Sequence, residues 1–365
     1  MGGLTKMKKV LSTALALAMV LSLAACSTGG TSTSSSAPSS SGDASTPEEK
    51  NFSVAMVTDV GGVNDQSFNQ SAWEGLQALQ EKGGYDVKYL ESVQESDYTP
   101  NLDKVGDEEH DLIWGVGYMM ADAIKDAATR NPDKLYAIVD NSYGDETPEN
   151  IIGVVFKAEE PSYLVGYIAG HMTTTDKVGF VGGMEGANIA AFEYGYRAGV
   201  AKAAADLGKE ITVDVQYANS FSDAALGKSI ALKQYENGCD IIFHAAGNVG
   251  NGVIEAAVEK NLYVIGVDRD QNYLAENNVI TSAMKKVGEG MSLVTERVKA
   301  GEQLGGTTVT YGLAEGTVGI APTSDKHVPA EILEKVAELE KTVASGEIVV
   351  PMDEETFNAY VATLA

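Results

Sequence analysis

From Phe52 onward the chain repeats one rhythm: a short, nearly continuous apolar run, a turn rich in glycine or acids, then a segment whose apolar residues recur at helical spacing. A first series of such runs reads FSVAMVTD, YDVKYLES, DLIWGVG, LYAIVD and IIGVVF. A second reads KVGFVGG, ITVDVQYA, CDIIFHAAG, LYVIGVD and VITSAM, separated by segments such as GYRAGVAKAAADLG and GNGVIEAAVEKN. Apolar strands alternating with amphipathic helices predict parallel sheets covered on both faces.

The two series match in detail as well as in rhythm. Their third runs end in GVG at Gly115 to Gly117 and in AAG at Ala245 to Gly247, and their fourth end in Val-Asp at Asp140 and Asp268. In the first loops, Phe68 lies nine residues past Asp59 and Phe192 nine past Gly183, and each Phe is followed seven residues later by a glycine, Gly75 and Gly199. Open parallel sheets bind ligands beyond the carboxyl ends of their strands. Two such sheets facing one another would set Phe68 against Phe192, and Asp140 against Asp268, across one cleft. The alternative is that each phenylalanine staples a helix into its own lobe. After the second series come a helix at KKVGEGMSLVTERVKAG, a stretch GTTVTYGLAEGTVGIAP and a last helix near PAEILEKVAELEKTVASG. These do not make a third domain. They imply that the chain crosses back to the first lobe and again to the second, forming a multi-strand hinge. The expected first lobe is residues 51–157 plus 282–321, and the second 158–281 plus 322–365.

The N-terminus changes the setting. MKKVLSTALALAMVLSLAAC, from Met7, has two lysines, an apolar run of secretory length and small residues before Cys26, the pattern of a signal peptide over residues 1–25. Leu23-Ala24-Ala25-Cys26 resembles the bacterial lipoprotein signal, in which the cysteine is lipidated. Residues 26–50 are rich in Ser, Thr, Gly and Pro with almost nothing apolar, so they are read as a tether. The expected location is the extracytoplasmic face of a cell membrane, held by lipid. Only Cys239 remains besides that anchor, so stability must come from a core, for which about 315 residues are ample.

The formal charge is −26, about −29 once the signal region is removed, which makes nucleic acid polymers poor partners. The four histidines, His110, His171, His244 and His327, show no metal-ligand spacing, and no Walker-A loop or nucleophile elbow is present. GNVGNG does not match the dinucleotide fingerprint, His244 and Cys239 read as buried strand residues, and Trp73 and Trp114 read as core residues. Neither an enzyme nor a cofactor is expected.

Together the lipoprotein cysteine, VNDQSFNQSAWEGL, FEYGYRAGV, AAGNVGNGVIEAA, GVDRDQ and TSAMKK resemble the basic membrane protein family of substrate-binding lipoproteins, typified by the purine nucleoside receptor. The resemblance implies a type I periplasmic-binding-protein fold, two Rossmann-like lobes with parallel sheets, closing on a nucleoside that is delivered to the permease and ATPase of an ABC importer. It further implies that Phe68 and Phe192 stack on the base and that Asn64, Asn69 and Asp140 read its edge. Asp268 would accept from the ribose hydroxyls with Lys285 beside it, and Gly247 would let the backbone approach the sugar. Asp59 and Asp65 are carried less firmly, since Asp59 could merely end a strand and Asp65 could cap the helix over Ser67 to Glu81. Acids at the cleft disfavour a phosphorylated ligand. A sugar receptor of the same fold and a lipoprotein acting as sensor or adhesin stay open at this point.

Overall fold

In the computed structural model, residues 50–364 are described; the expected signal peptide, Cys26 and nearly all of the tether lie outside them. The first series forms β1 (Phe52–Thr58), α1 (Phe68–Lys82), β2 (Tyr85–Leu90), α2 (Tyr98–Gly106), β3 (Leu112–Val116), α3 (Ala121–Arg130), β4 (Tyr136–Val139) and β5 (Ile151–Phe156). The second forms α4 (Glu159–Met172), β6 (Lys177–Gly182), α5 (Ala187–Leu207), β7 (Thr212–Tyr217), α6 (Ala224–Glu236), β8 (Ile241–Ala245), α7 (Asn248–Lys260), β9 (Tyr263–Asp268) and β10 (Val279–Lys285). The chain ends with α8 (Val287–Lys299), β11 (Thr307–Tyr311), β12 (Val318–Ile320), α9 (Ala330–Ala344) and α10 (Glu354–Ala362).

Two six-stranded sheets result, ordered β11-β5-β4-β3-β1-β2 and β12-β10-β9-β8-β6-β7. The orders correspond strand for strand, and every pairing is parallel except β10 with β12. In each sheet the order reverses beside the first strand, between β1 and β3 and between β6 and β8, which is where a ligand crevice forms in such folds. The central strands are buried on both faces, β3 and β4 at every residue, which is why they read as unbroken apolar runs. Trp114 on β3 is fully buried and donates its indole N–H to Thr295 Oγ1 at 3.2 Å.

The chain passes between the sheets at Phe156 to Glu159, at Lys285 to Val287 and between β11 and β12. The second and third passages differ from the expected lobe limits at residues 282 and 321. β10 stays in the second sheet through Lys285, and β12 already belongs to it. The reason is hydrogen bonding: Ala283 and Met284 pair with both β9 and β12, and Lys285 with β12.

The matched glycines have a shared cause. Gly75 on α1 faces Gly288 on α8, where an added Cβ would stand 2.3 Å from the Gly288 Cα. Gly199 on α5 faces α4, where an added Cβ would stand 2.0 Å from the Tyr163 carbonyl oxygen. In both lobes a helix beside the cleft is packed backbone to backbone against its neighbour.

Candidate functional site

The carboxyl ends of the strands from both sheets enclose a cavity of about 460 Å³, within the range of roughly 300–1,000 Å³ usual for small-molecule sites. Of the residues expected at the site, Phe68, Asn69, Asp140, Phe192, Gly247, Asp268 and Lys285 all line it, as do Asp59 and Asp65. Asn64 does not. It is exposed and borders a separate crevice with Glu91, Val93 and Asn248.

The first loop is organised by its acids. Asp65 accepts from the backbone N–H groups of Ser67 (2.9 Å), Asn69 (2.8 Å) and Gln70 (3.1 Å), so it satisfies the start of α1 from two residues upstream of Ser67. Asp59 accepts from Gly61 N–H at 3.0 Å and from the Asn69 side-chain amide at 2.7 Å. Asn69 Oδ1 is buried and has no partner among the described residues. With Asp65 closing the helix, the Ser67 hydroxyl is free to reach across the cleft to Asp268.

Asp140 and Asp268 end equivalent strands with the same left-handed backbone, φ 65° and 64°. Gly117 and Gly247, after the equivalent β3 and β8, also have positive φ, 116° and 54°. At Gly117 an added Cβ would lie 2.7 Å from Asp59 Oδ2, so glycine keeps room for that carboxylate. Lys285, at the end of β10, bonds to Asp140 across the cleft rather than to Asp268. Its ammonium lies 4.7 Å from the centre of the Phe68 ring, 5.5 Å from Phe156 and 5.6 Å from Phe192. The rings therefore converge on one point from both lobes, with a cation at it.

Burial dominates the titration of these groups. It pushes Asp268 up to about 6, against the opposing pull of Lys285 and the Ser67 hydroxyl. It pushes Asp59 up to about 6, partly offset by the Gly61 and Asn69 hydrogen bonds, and raises Asp65 as well. Glu159, the first residue of α4 and part of the cavity wall, is pushed up to about 7. By contrast His244 is fully buried within β8, and burial holds it down to about 4, as suits a neutral core side chain.

Several lining residues carried no sequence signal. Tyr118, which opens a 3₁₀ turn after β3, and Phe221, in the loop after β7, meet edge to face across the cleft with ring centres 6.4 Å apart. Asn188 donates to the Asp140 carbonyl at 2.8 Å, and Met352 arrives from the far end of the chain. Outside the cavity the lobes are tied by Gln271 and Tyr273 to Gln66 (3.0 and 2.6 Å), by Asn251 to the Asp65 carbonyl (3.1 Å) and by Arg269 to Glu74 (3.0 Å). The lobes are thus closed against one another.

Two corresponding α/β lobes, linked by three strand connections around one closed cleft, define a solute-binding protein of the periplasmic-binding-protein type. The sequence model described as ABC transporter substrate-binding protein PnrA-like, the Bmp family, matches residues 52–354, and the chain belongs to that family. A protein of Listeria innocua called CD4+ T-cell-stimulating antigen is 44% identical over 83% of this chain and 88% of its own length. The ABC transporter nucleoside-binding protein BmpA of Lactococcus lactis is 38% identical over 95% of this chain and 99% of its own. Among solved structures, an ABC transporter solute-binding protein from Aeropyrum pernix K1 superimposes with a TM-score of 0.77 at 26% identity, covering 86% of this chain and 97% of that one. The protein is accordingly a substrate-binding component of ABC transport. Among the described residues no helix is long and apolar enough to cross a membrane.

Proposed function

We propose that the protein is an extracytoplasmic receptor, anchored by lipid at Cys26, that closes on a nucleoside and presents it to the permease and ATPase of an ABC importer. The observation that carries this reading is the convergence of aromatic rings and a buried carboxylate in one cavity shared by two lobes. A base between Phe68 and Phe192 gains ~1–3 kcal/mol per stacked face. It takes the place now held by the Lys285 ammonium, which moves aside with its Asp140 partner. Asp268 is placed to accept from a vicinal diol in exchange for the Ser67 hydroxyl, and charge-assisted bonds of this kind are the stronger ones. Asn69, which lines the cavity, would read the base edge after a small rotation of its amide, and a purine, with the larger face, makes fuller use of the rings.

Four aspartates line the cavity, so a phosphate group would be repelled and a free nucleoside is preferred to a nucleotide. The relative named as a nucleoside-binding protein supports the same ligand class. Each lobe supplies half of the contacts, so ligand binds the closed form better and shifts the population toward it. The permease would then sense the closed form.

Titration calorimetry with inosine, guanosine, adenosine, cytidine, uridine, ribose and galactose tests the proposal on the wild type, Phe68→Ala and Asp268→Ala. Binding of nucleosides but not ribose, lost in both variants, is expected. Binding of free sugars alone would replace it with a sugar receptor, and binding of none would leave a lipoprotein with another task.

A further inference from the structure

Among the described residues Met352 is the one from the segment between α9 and α10 that lines the cavity, and the way it is held marks it as built in. Val350 and Pro351 before it are buried, the former packed into the core of the second lobe, whereas Met352 is 51% exposed while also lining the cavity. Its side chain therefore stands at the boundary between the cavity and solvent. Its backbone N–H donates to Thr356 Oγ1 at 3.3 Å, inside a capping box in which the Asp353 carboxylate accepts from Thr356 N–H at 2.8 Å. The helix that follows, α10, is fastened to the helices that build this wall. Phe357 lies under the Arg197 guanidinium (4.5 Å) and beside Tyr194 on α5, and the Tyr360 hydroxyl meets that of Tyr163 on α4 at 2.8 Å. α5 also carries Phe192, and α4 begins at the cavity residue Glu159. A pinned backbone, a flexible thioether at the mouth, and an anchor on the helix that presents a stacking ring are what a wall of adjustable shape requires. α10 lies almost wholly beyond the stretch matched by the family model.

We propose that Met352 is a specificity-determining residue whose thioether packs against the base of the bound nucleoside, and that α10 holds it there. This rests on the nucleoside reading above. A polarizable sulfur against an aromatic ring adapts to rings of different size, so Met352 favours the bicyclic purines, which extend further toward the mouth.

The test is calorimetry of wild type, Met352→Ala, Met352→Gln and Phe357→Ala with a purine and a pyrimidine nucleoside, together with peptide mass analysis of Met352 oxidation by hydrogen peroxide with and without ligand. Met352→Ala should weaken purine binding about two- to tenfold and pyrimidine binding less, with Tm unchanged because the side chain is half exposed. Phe357→Ala, which leaves the thioether in place but loosens its anchor, should shift the purine preference the same way, and saturating ligand should slow sulfoxidation at Met352. If the wild type binds nucleosides while all three variants keep its affinities and ratio, or ligand leaves the oxidation rate unchanged, the role of Met352 is refuted with the nucleoside reading intact. If the wild type binds no nucleoside, both fall together.

Discussion

The two lobes share a backbone plan and differ in chemistry. At the ends of equivalent strands, Asp140 and Asp268 adopt the same left-handed conformation. Asp268 is buried and takes a hydroxyl from the other lobe, while Asp140, more open, takes the Lys285 ammonium. The first loops diverge further. That of the first lobe brings Asp59, Asp65 and Asn69 to the cavity, whereas the equivalent stretch of the second brings Ala187, Ile189 and Ala191 before Phe192. A duplicated framework thus places residues at matched points, and the side chains there differ: in the first loops the first lobe presents acids and an amide, while the second presents mainly alanine and isoleucine, with Asn188 among them and its own acid at Asp268.

The comparison is tested most severely at the matched glycines. Gly199→Val should lower stability by about 3 kcal/mol or more, since the new side chain would meet the α4 backbone and not a flexible side chain. Gly75→Val should do so comparably through Gly288. Thermal melts of the two variants decide it, and a Gly75→Val protein as stable as the wild type would break the equivalence of the lobes.

Next in size is the contrast between the strand-end acids. Asp268→Asn, at a buried and bonded site, should cost roughly 2–5 kcal/mol of nucleoside binding. Asp140→Asn should cost less, because Asp140 is the more accessible and its Lys285 partner can turn to Asp268. Equal losses by calorimetry would show that burial does not rank the two.

A pH series sharpens the same point. Asp268 has a folded pKa near 6, above its value in the unfolded chain, so the folded state binds more protons between about pH 4 and 6. Its burial therefore costs stability at neutral pH, and that cost is relieved as pH falls through 6. Relative to Asp268→Asn, the ligand-free wild type should gain stability on going from pH 7 to 5, by at most about 1.4 kcal/mol per pH unit. Nucleoside affinity should move the opposite way, because the acceptor is lost on protonation. Chemical denaturation and calorimetry at each pH read the two trends. The smallest effect is expected at Asn64, outside the cavity: Asn64→Ala should leave affinity within about twofold of wild type.

Much of this architecture is legible in the chain because its signals are local. Continuous apolar runs follow from strands covered on both faces, and the Phe-to-glycine spacing repeats because the same helix packing occurs twice. The lobe limits at 282 and 321 were not legible, since strand pairing across residues distant in sequence assigns β10 through Lys285 and β12 to the second sheet. Nor was the outward turn of Asn64. Its neighbours Asp65 and Asn69 face the cavity, and a polar loop has no periodicity from which to tell the two directions apart.

By itself the sequence determined the α/β class, the doubling of the lobe, the matched positions of Phe68 and Phe192 and the acids at equivalent strand ends, all of which depend on residue type and spacing within a single repeat; each phenylalanine also packs on the core of its own lobe. The tertiary structure alone decided the pairing of Lys285 with Asp140, the reach of Ser67 to Asp268, the aromatic pair of Tyr118 and Phe221, and the arrival of Met352 at the cavity mouth. Each of these joins residues from different lobes or from distant parts of the chain, and their distances are set by how two sheets close on one another, a property that no local pattern of side chains encodes.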